Sequence, residues 1–249
     1  MFLQTDLNGR REANPMTRRK RTAALSLTPD ELLARSPWFG SLDAAARDRV
    51  RADMSEKTVA RNETLGYHGE RQNVWFGILE GLVKWSIVAR DGRTVTLGGQ
   101  LAGSWFGEGT LIRRVPRQSN LIAVRDSRVA MIPLTTFNWL RQQCPSFNDF
   151  LLAQVTERLH WFMGNVVVYG LLDTDSLVAR ALVGMVHPLL NPVGVRQFQL
   201  SQEELASLAG VSRQTCNKAM KHLRDAGLIR SEYGGFVVLD LPGLQAIAQ

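Results

Sequence analysis

Arg213, Gln214, Asn217, Lys218 and Lys221 recur at helical spacing, and the interleaved Cys216, Ala219, Met220 and Leu223 are spaced to turn the opposite way. A helix built from this segment buries one side and presents guanidinium, carboxamide and ammonium groups on the other. A guanidinium can bridge guanine O6 and N7, a Gln carboxamide can both donate to and accept from adenine, and lysines neutralise phosphates. The spacing therefore predicts a surface that reads base edges in the major groove. The bland alternative is a solvated face on an ordinary surface helix. No comparable set of residues points to catalysis. His68, His160, His187 and His222 fall on different expected elements, which argues against a cupin-type metal enzyme. There is also no Gly-x-x-x-x-Gly-Lys loop and no Gly-x-Ser-x-Gly elbow, so the chain reads as a non-enzyme.

The elements that must position the basic face can be read around it. Ser201-Gln202-Glu203-Glu204 has capping-box spacing and opens a helix that buries Leu205, Ala206 and Leu208. Gly210 supplies the left-handed residue of a tight turn, and Ser212 caps the basic helix, giving a helix-turn-helix. Leu228 to Tyr233 and Phe236 to Leu239 read as two strands about Gly234-Gly235, a wing, with Pro242 in the first turn of a last helix.

Upstream, Pro29 to Arg51 has a helical pattern capped by Thr28, with a second start at Ser41-Leu42-Asp43. Between Thr58 and Pro133 short alternating segments are separated by turns such as Glu80-Gly81 and Asp91-Gly92, the texture of a sandwich or β-roll. After Pro145 the apolar residues Leu152, Val155, Leu159, Phe162, Val166 and Tyr169 follow a heptad-like seam, so this helix is expected to lie along a second copy of itself. Packing within its own domain is the alternative. Gly170 and Asp173 mark a break, with Asp173 or Thr174 as the next N-cap. His187-Pro188 closes that helix, Asn191 to Gly194 turns, and Phe198-Gln199-Leu200 is a short strand.

Composition agrees with these assignments. The 249 residues carry 30 Lys and Arg against 23 Asp and Glu, a net +7 that favours a polyanionic partner. Cys144 and Cys216 are too few and too far apart for a disulfide framework or a thiolate metal site, which fits a reducing cytoplasm. No apolar run is long enough for a membrane span. Residues 1–28 read as a basic, loose tail, with Met16 as an alternative start that would leave residues 1–15 untranslated.

From residue 29 to 249 the chain resembles the Crp/Fnr family of bacterial transcription regulators. Ser212-Arg213-Gln214-Thr215 resembles the family's Ser-Arg-Glu-Thr at the start of the recognition helix, and Trp105-Phe106-Gly107-Glu108 resembles its phosphate-facing Phe-x-Gly-Glu. The resemblance implies an α+β chain. Its parts would be a double-stranded β-helix (jelly-roll-like) sensor domain over 29–145, a dimerisation helix over 146–171 and a winged helix-turn-helix over 172–249. It implies base contacts from Arg213, Gln214 and Lys218, phosphate contacts from Ser201, Ser212 and Thr215, and further DNA contacts from Asn217 and Lys221. The implied partners are a double-stranded palindromic operator, a second copy of the chain and, for an activator, RNA polymerase; no membrane is implied. An effector site would involve Gly107, Glu108, Gly109, Thr110, Gln118, Ser119 and Phe162. Gln118 stands where the family's cyclic-nucleotide sensors have Arg, with Arg117 one residue early, and Phe162 and Met163 replace Thr and Ser, so cyclic AMP fits poorly. Two cysteines cannot supply the four ligands of the family's iron-sulfur branch, and a lone His is weak support for haem. The sequence thus implies an unidentified small effector and no certain cofactor. The alternative is an effector-independent regulator whose roll is a scaffold.

Overall fold

The computed structural model describes residues 25–171, 174–191 and 196–248, the side chains of 167–171 excepted. It opens on α1 (Pro29–Ala34), α2 (Pro37–Gly40) and α3 (Ala44–Asp53). Thr28 and Glu31 form a reciprocal capping box and Asp43 caps α3, while Pro37 starts a helix that the pattern alone did not separate.

Eight strands follow: β1 (Ser55–Val59), β2 (Thr64–Gly66), β3 (Val74–Glu80), β4 (Leu82–Val88), β5 (Thr94–Leu101), β6 (Trp105–Phe106), β7 (Asn120–Ala123) and β8 (Ser127–Pro133), with α4 (Glu108–Arg113) between β6 and β7. They form two four-stranded sheets, in the orders β1-β8-β3-β6 and β2-β7-β4-β5. Asp91-Gly92 joins a true hairpin, β4 to β5. Glu80-Gly81 instead carries the chain from one sheet to the other, because β3 pairs with β8 and β4 with β7. Phe76, Val83, Phe106, Leu121 and Val129 fill the space between the sheets. A second core joins the roll to the helices on Trp38, Trp75, Trp105, Phe137 and Phe147. Trp75 and Trp105 stack at 4.5 Å, and Trp105 Nε1 donates to Ser36 Oγ at 2.7 Å, which satisfies a buried indole. Leu27 is buried and Ser26 bridges to Glu80, so residues 25–28 belong to the roll rather than to a loose tail. Residues 1–24 of that tail lie outside the described residues.

The helical part comprises α5 (Leu134–Gln143), α6 (Pro145–Leu171) and α7 (Thr174–Met185), then β9 (Gln197–Phe198), α8 (Gln202–Ala209), α9 (Arg213–Asp225), β10 (Ile229–Glu232), β11 (Gly235–Val238) and α10 (Leu241–Ile247). The expected cap at Asp173 and the turn over Pro192 to Gly194 lie outside the described residues. Leu182, Leu205, Cys216, Leu223, Phe236 and Leu244 make the C-terminal core, which also takes in Leu82 of the roll. The wing is a three-stranded sheet in the order β10-β11-β9. Its turn is Tyr233-Gly234, one residue earlier than expected, because Glu232 pairs with Gly235. Gly235 lies inside β11, where any side chain would strike the Phe198 carbonyl. Among the described residues no helix is long and apolar enough to cross a membrane.

Candidate nucleic-acid interface and sensor pocket

The basic face is assembled by local signals. Ser201 Oγ accepts from the Glu204 amide at 3.2 Å while the Glu204 carboxylate accepts from the Ser201 amide at 2.8 Å, which fixes the start of α8. Gly210 ends that helix at φ 69°, a conformation that would strain a residue with a Cβ. Ser212 Oγ then accepts from the Thr215 amide at 3.1 Å and opens α9. Cys216, Ala219, Met220 and Leu223 are buried, leaving Arg213, Gln214, Lys218 and Lys221 exposed along one side. Asn217 is only half-exposed, and its Oδ1 is buried without a partner, so it reaches outward less than its neighbours. Thr215 is half-buried, with its hydroxyl 2.8 Å from Ser212 Oγ. Arg213 and Ser201 line one cleft together with Ser231 and Gly234 of the wing.

The roll carries the second cluster. Gly107, at φ 96°, turns the chain so that Glu108 points inward and is 2% exposed. Arg158 of α6 meets it, Nε to Oε1 at 3.3 Å, and donates from Nη2 to the Trp105 carbonyl at 2.6 Å, which also accepts from Gln154 Nε2 at 2.9 Å. Burial pushes the Arg158 guanidinium below its usual range, and the Glu108 charge partly offsets this. Its guanidinium also covers the Trp85 ring at 4.9 Å. Glu108 Oε2, Gln154 Oε1 and Gln100 Oε1 are buried without hydrogen-bond partners.

Arg117 and Gln118 have opposite orientations. Arg117 is 5% exposed, donates to Gln72 and lies over the Phe76 ring, and burial lowers it to about 10 against the opposing effect of Glu70. Gln118 is exposed and donates to the Pro116 carbonyl at 3.0 Å, so it faces away from the roll interior in which it was expected. The Gln72 amide sits on Gly107, where a Cβ would collide with it. Gly109 is exposed, and Thr110 and Ser119 are half-buried.

Two roles were expected of Phe162, and the structure separates them. Its ring faces Trp85 at 6.4 Å, on the roll side of α6. The exposed apolar stripe runs instead through Leu152, Val155, Leu159, Met163 and Val166, with Leu152 69% and Val166 72% exposed. A straight helix turns every 3.6 residues and drifts against a strict heptad, so the outward residue becomes Met163 by the second half of the stripe. The Tyr169 side chain lies outside the described residues.

Sequence reasoning missed Arg158, Gln154, Gln72 and Trp85 because their partners are remote in the chain. It also missed a junction between roll and winged domain. Arg61 pairs with Glu203 at 3.2 Å, Arg125 with Glu204 at 3.1 Å, and Lys84 Nζ donates to Ser207 Oγ at 2.8 Å. Leu208 packs so closely on Gly99 that a methyl there would overlap it. The histidines stay scattered: His187 meets Glu157 and His222 meets Asp175, and among the described residues no three potential ligands gather into a metal site.

Comparison with known proteins gives two domain matches. The family model described as the cyclic nucleotide-binding domain matches residues 56–144, and that of the Crp-like helix-turn-helix domain matches residues 178–247. A CRP-like cAMP-activated global transcriptional regulator of Mycobacterium tuberculosis is 27% identical over 215 residues, spanning 85% of this chain and 96% of the relative. The cAMP-activated global transcriptional regulator Vfr of Pseudomonas aeruginosa is 28% identical over 189 residues, spanning 73% and 88%. Among solved structures, FixK2 from Bradyrhizobium japonicum shares the fold at a TM-score of 0.64 and 17% identity, covering 79% of this chain and 98% of that one.

Proposed function

The chain belongs to the Crp/Fnr family of transcription regulators, and from that premise we propose that it binds a palindromic operator as a homodimer and is modulated by a small effector other than cyclic AMP. One observation carries the reading: α9 exposes Arg213, Gln214, Lys218 and Lys221 on one side while burying every apolar residue on the other. The exposed stripe on α6 supports pairing of two copies, which would set two recognition helices about one DNA turn, roughly 34 Å, apart. Arg213 bridges a guanine, Gln214 reads an adenine, Lys218 makes a point contact where a fork would read more, and Ser201, Ser212 and Thr215 hold phosphates. RNA polymerase is a further partner if the chain activates.

The curated relatives described above are named for activation by cyclic AMP. Here the roll departs from a cyclic nucleotide in three places. Gln118 points to solvent, Gln72 fills the turn at Gly107, and Phe162 offers no hydrogen bond to a base. Selection of duplexes from a random pool by the full chain tests the reading. An enriched two-fold symmetric sequence, bound without change in affinity when cyclic AMP is added at fixed salt, is the expected result. Equal retention of all duplexes removes the DNA-reading assignment, and a cyclic AMP response removes the effector assignment.

A further inference from the structure

A cleft opens where the roll, the long helix and the winged domain meet. The roll supplies Trp85 and Gln100, α6 supplies Trp161 and Phe162, α7 supplies Arg180, and α8 supplies Leu208. Three features of its walls specify an occupant. The aromatic rings of Trp85, Trp161 and Phe162 offer flat apolar surface suited to a planar body. Gln100 is 4% exposed, and its Oε1 has no partner, although its Nε2 donates to the Gly99 carbonyl at 3.1 Å; the oxygen therefore calls for a donor. Arg180 is held by Asn165 Oδ1 at 2.7 Å, the Trp161 carbonyl at 2.9 Å and the Ala248 carbonyl at 2.6 Å, all neutral acceptors. Among the described residues no carboxylate lies within ion-pair distance of Arg180, whereas Arg158 on the same wall already has Glu108. Among the described residues, then, the cleft has one guanidinium without a carboxylate partner, which favours an anion.

We propose that this cleft binds a flat aromatic monoanion bearing a hydroxyl or N–H donor, its ring among the tryptophans, its acid toward Arg180 and its donor on Gln100. The proposal rests on the reading above that the chain is an effector-modulated regulator, and it names the class of effector. Because the walls come from both domains, such a molecule binds tightly only when roll and winged domain are docked, and so biases the position of α9.

Isothermal titration of the full chain with hydroxynaphthoate, with the neutral hydroxynaphthamide and with unsubstituted naphthoate separates the acid requirement from the hydroxyl requirement, and tryptophan quenching gives a second readout. We expect saturable binding of hydroxynaphthoate, weakened by about tenfold or more when either the acid or the hydroxyl is removed. Arg180→Gln should abolish the preference for the acid, and Gln100→Leu the preference for the hydroxyl. Arg180 also ties three elements together, so Gln100→Leu and Ala181→Phe, which fills the cleft, provide the decision should Arg180→Gln fail to fold. No saturable binding of any of the three compounds, or binding indifferent to both the acid and Gln100, overturns the proposal. Operator selection measured on the same preparation separates that failure from failure of the DNA-reading assignment.

Discussion

Gln214 occupies the first turn of α9 with its side chain exposed, and its chemistry differs from the Glu that resembling sequences place there. A carboxylate only accepts, and so suits cytosine N4, whereas a carboxamide pairs well with adenine. Gln214→Glu should therefore change the preferred base at one symmetric pair of operator positions while leaving overall salt dependence unaltered. Selected duplexes compared between the two proteins check this, and an unchanged profile would refute the assignment. On the opposite face Cys216 is buried, and burial raises its thiol to about 11. The raised value favours the protonated form in the fold, so stability from this group is present below about pH 9 and is lost as pH climbs through about 11. At pH 8 roughly one thiol in a thousand is ionised, and alkylation of Cys216 should be slow until the protein unfolds. Mass spectrometry of iodoacetamide-treated native protein measures that rate.

Among elements, α6 has the most to reconcile, because it must cover the roll on one side and offer an apolar stripe on the other. Arg158, Gln154 and Phe162 face the roll, while Leu159, Met163 and Val166 face outward. Leu159→Lys with Val166→Lys should yield monomers by sedimentation without loss of helix content, whereas Phe162→Lys should instead disturb the roll at Trp85. Ser201→Ala removes a reciprocal cap and should cost about 1 kcal/mol of stability by thermal melt. These contrasts show which parts of the fold were legible from sequence. The caps at Thr28, Ser201 and Ser212 and the turn at Gly210 were readable because each is decided within four residues. The side of α6 that Phe162 takes was not, since heptad spacing alone cannot distinguish a partner helix from the chain's own roll. Glu80-Gly81 was legible as a turn but not as a crossing between sheets, because a hairpin and a sheet-to-sheet turn share residues, and only the pairing of β3 with β8 tells them apart. The Glu108–Arg158 pair joins side chains too distant in sequence for any local signal.

For the molecule as a whole, the junction between roll and winged domain determines how the DNA-reading surface is presented. Its ionic ties, Arg61 to Glu203 and Arg125 to Glu204, differ in exposure, and the second is the better shielded from salt. Burial also lowers the Lys84 ammonium, so its charge opposes the docking that its bond to Ser207 favours, and that opposition is relieved as pH rises. Gly99→Val should push Leu208 and α8 off the roll, raising hydrogen exchange along α8 while the amides of β3 and β8 stay protected. Unchanged exchange along α8 would show that Leu208 does not hold the two domains together. The roll also pairs strands from its opposite ends, Ser55 with Met131, and threads β3 and β4 into different sheets. Few of its contacts can therefore form until most of the roll has been synthesised, whereas α8, α9 and the wing close over short loops. The half that reads DNA should reach its final shape quickly once made, and the half that adjusts it should be the slow step in maturation.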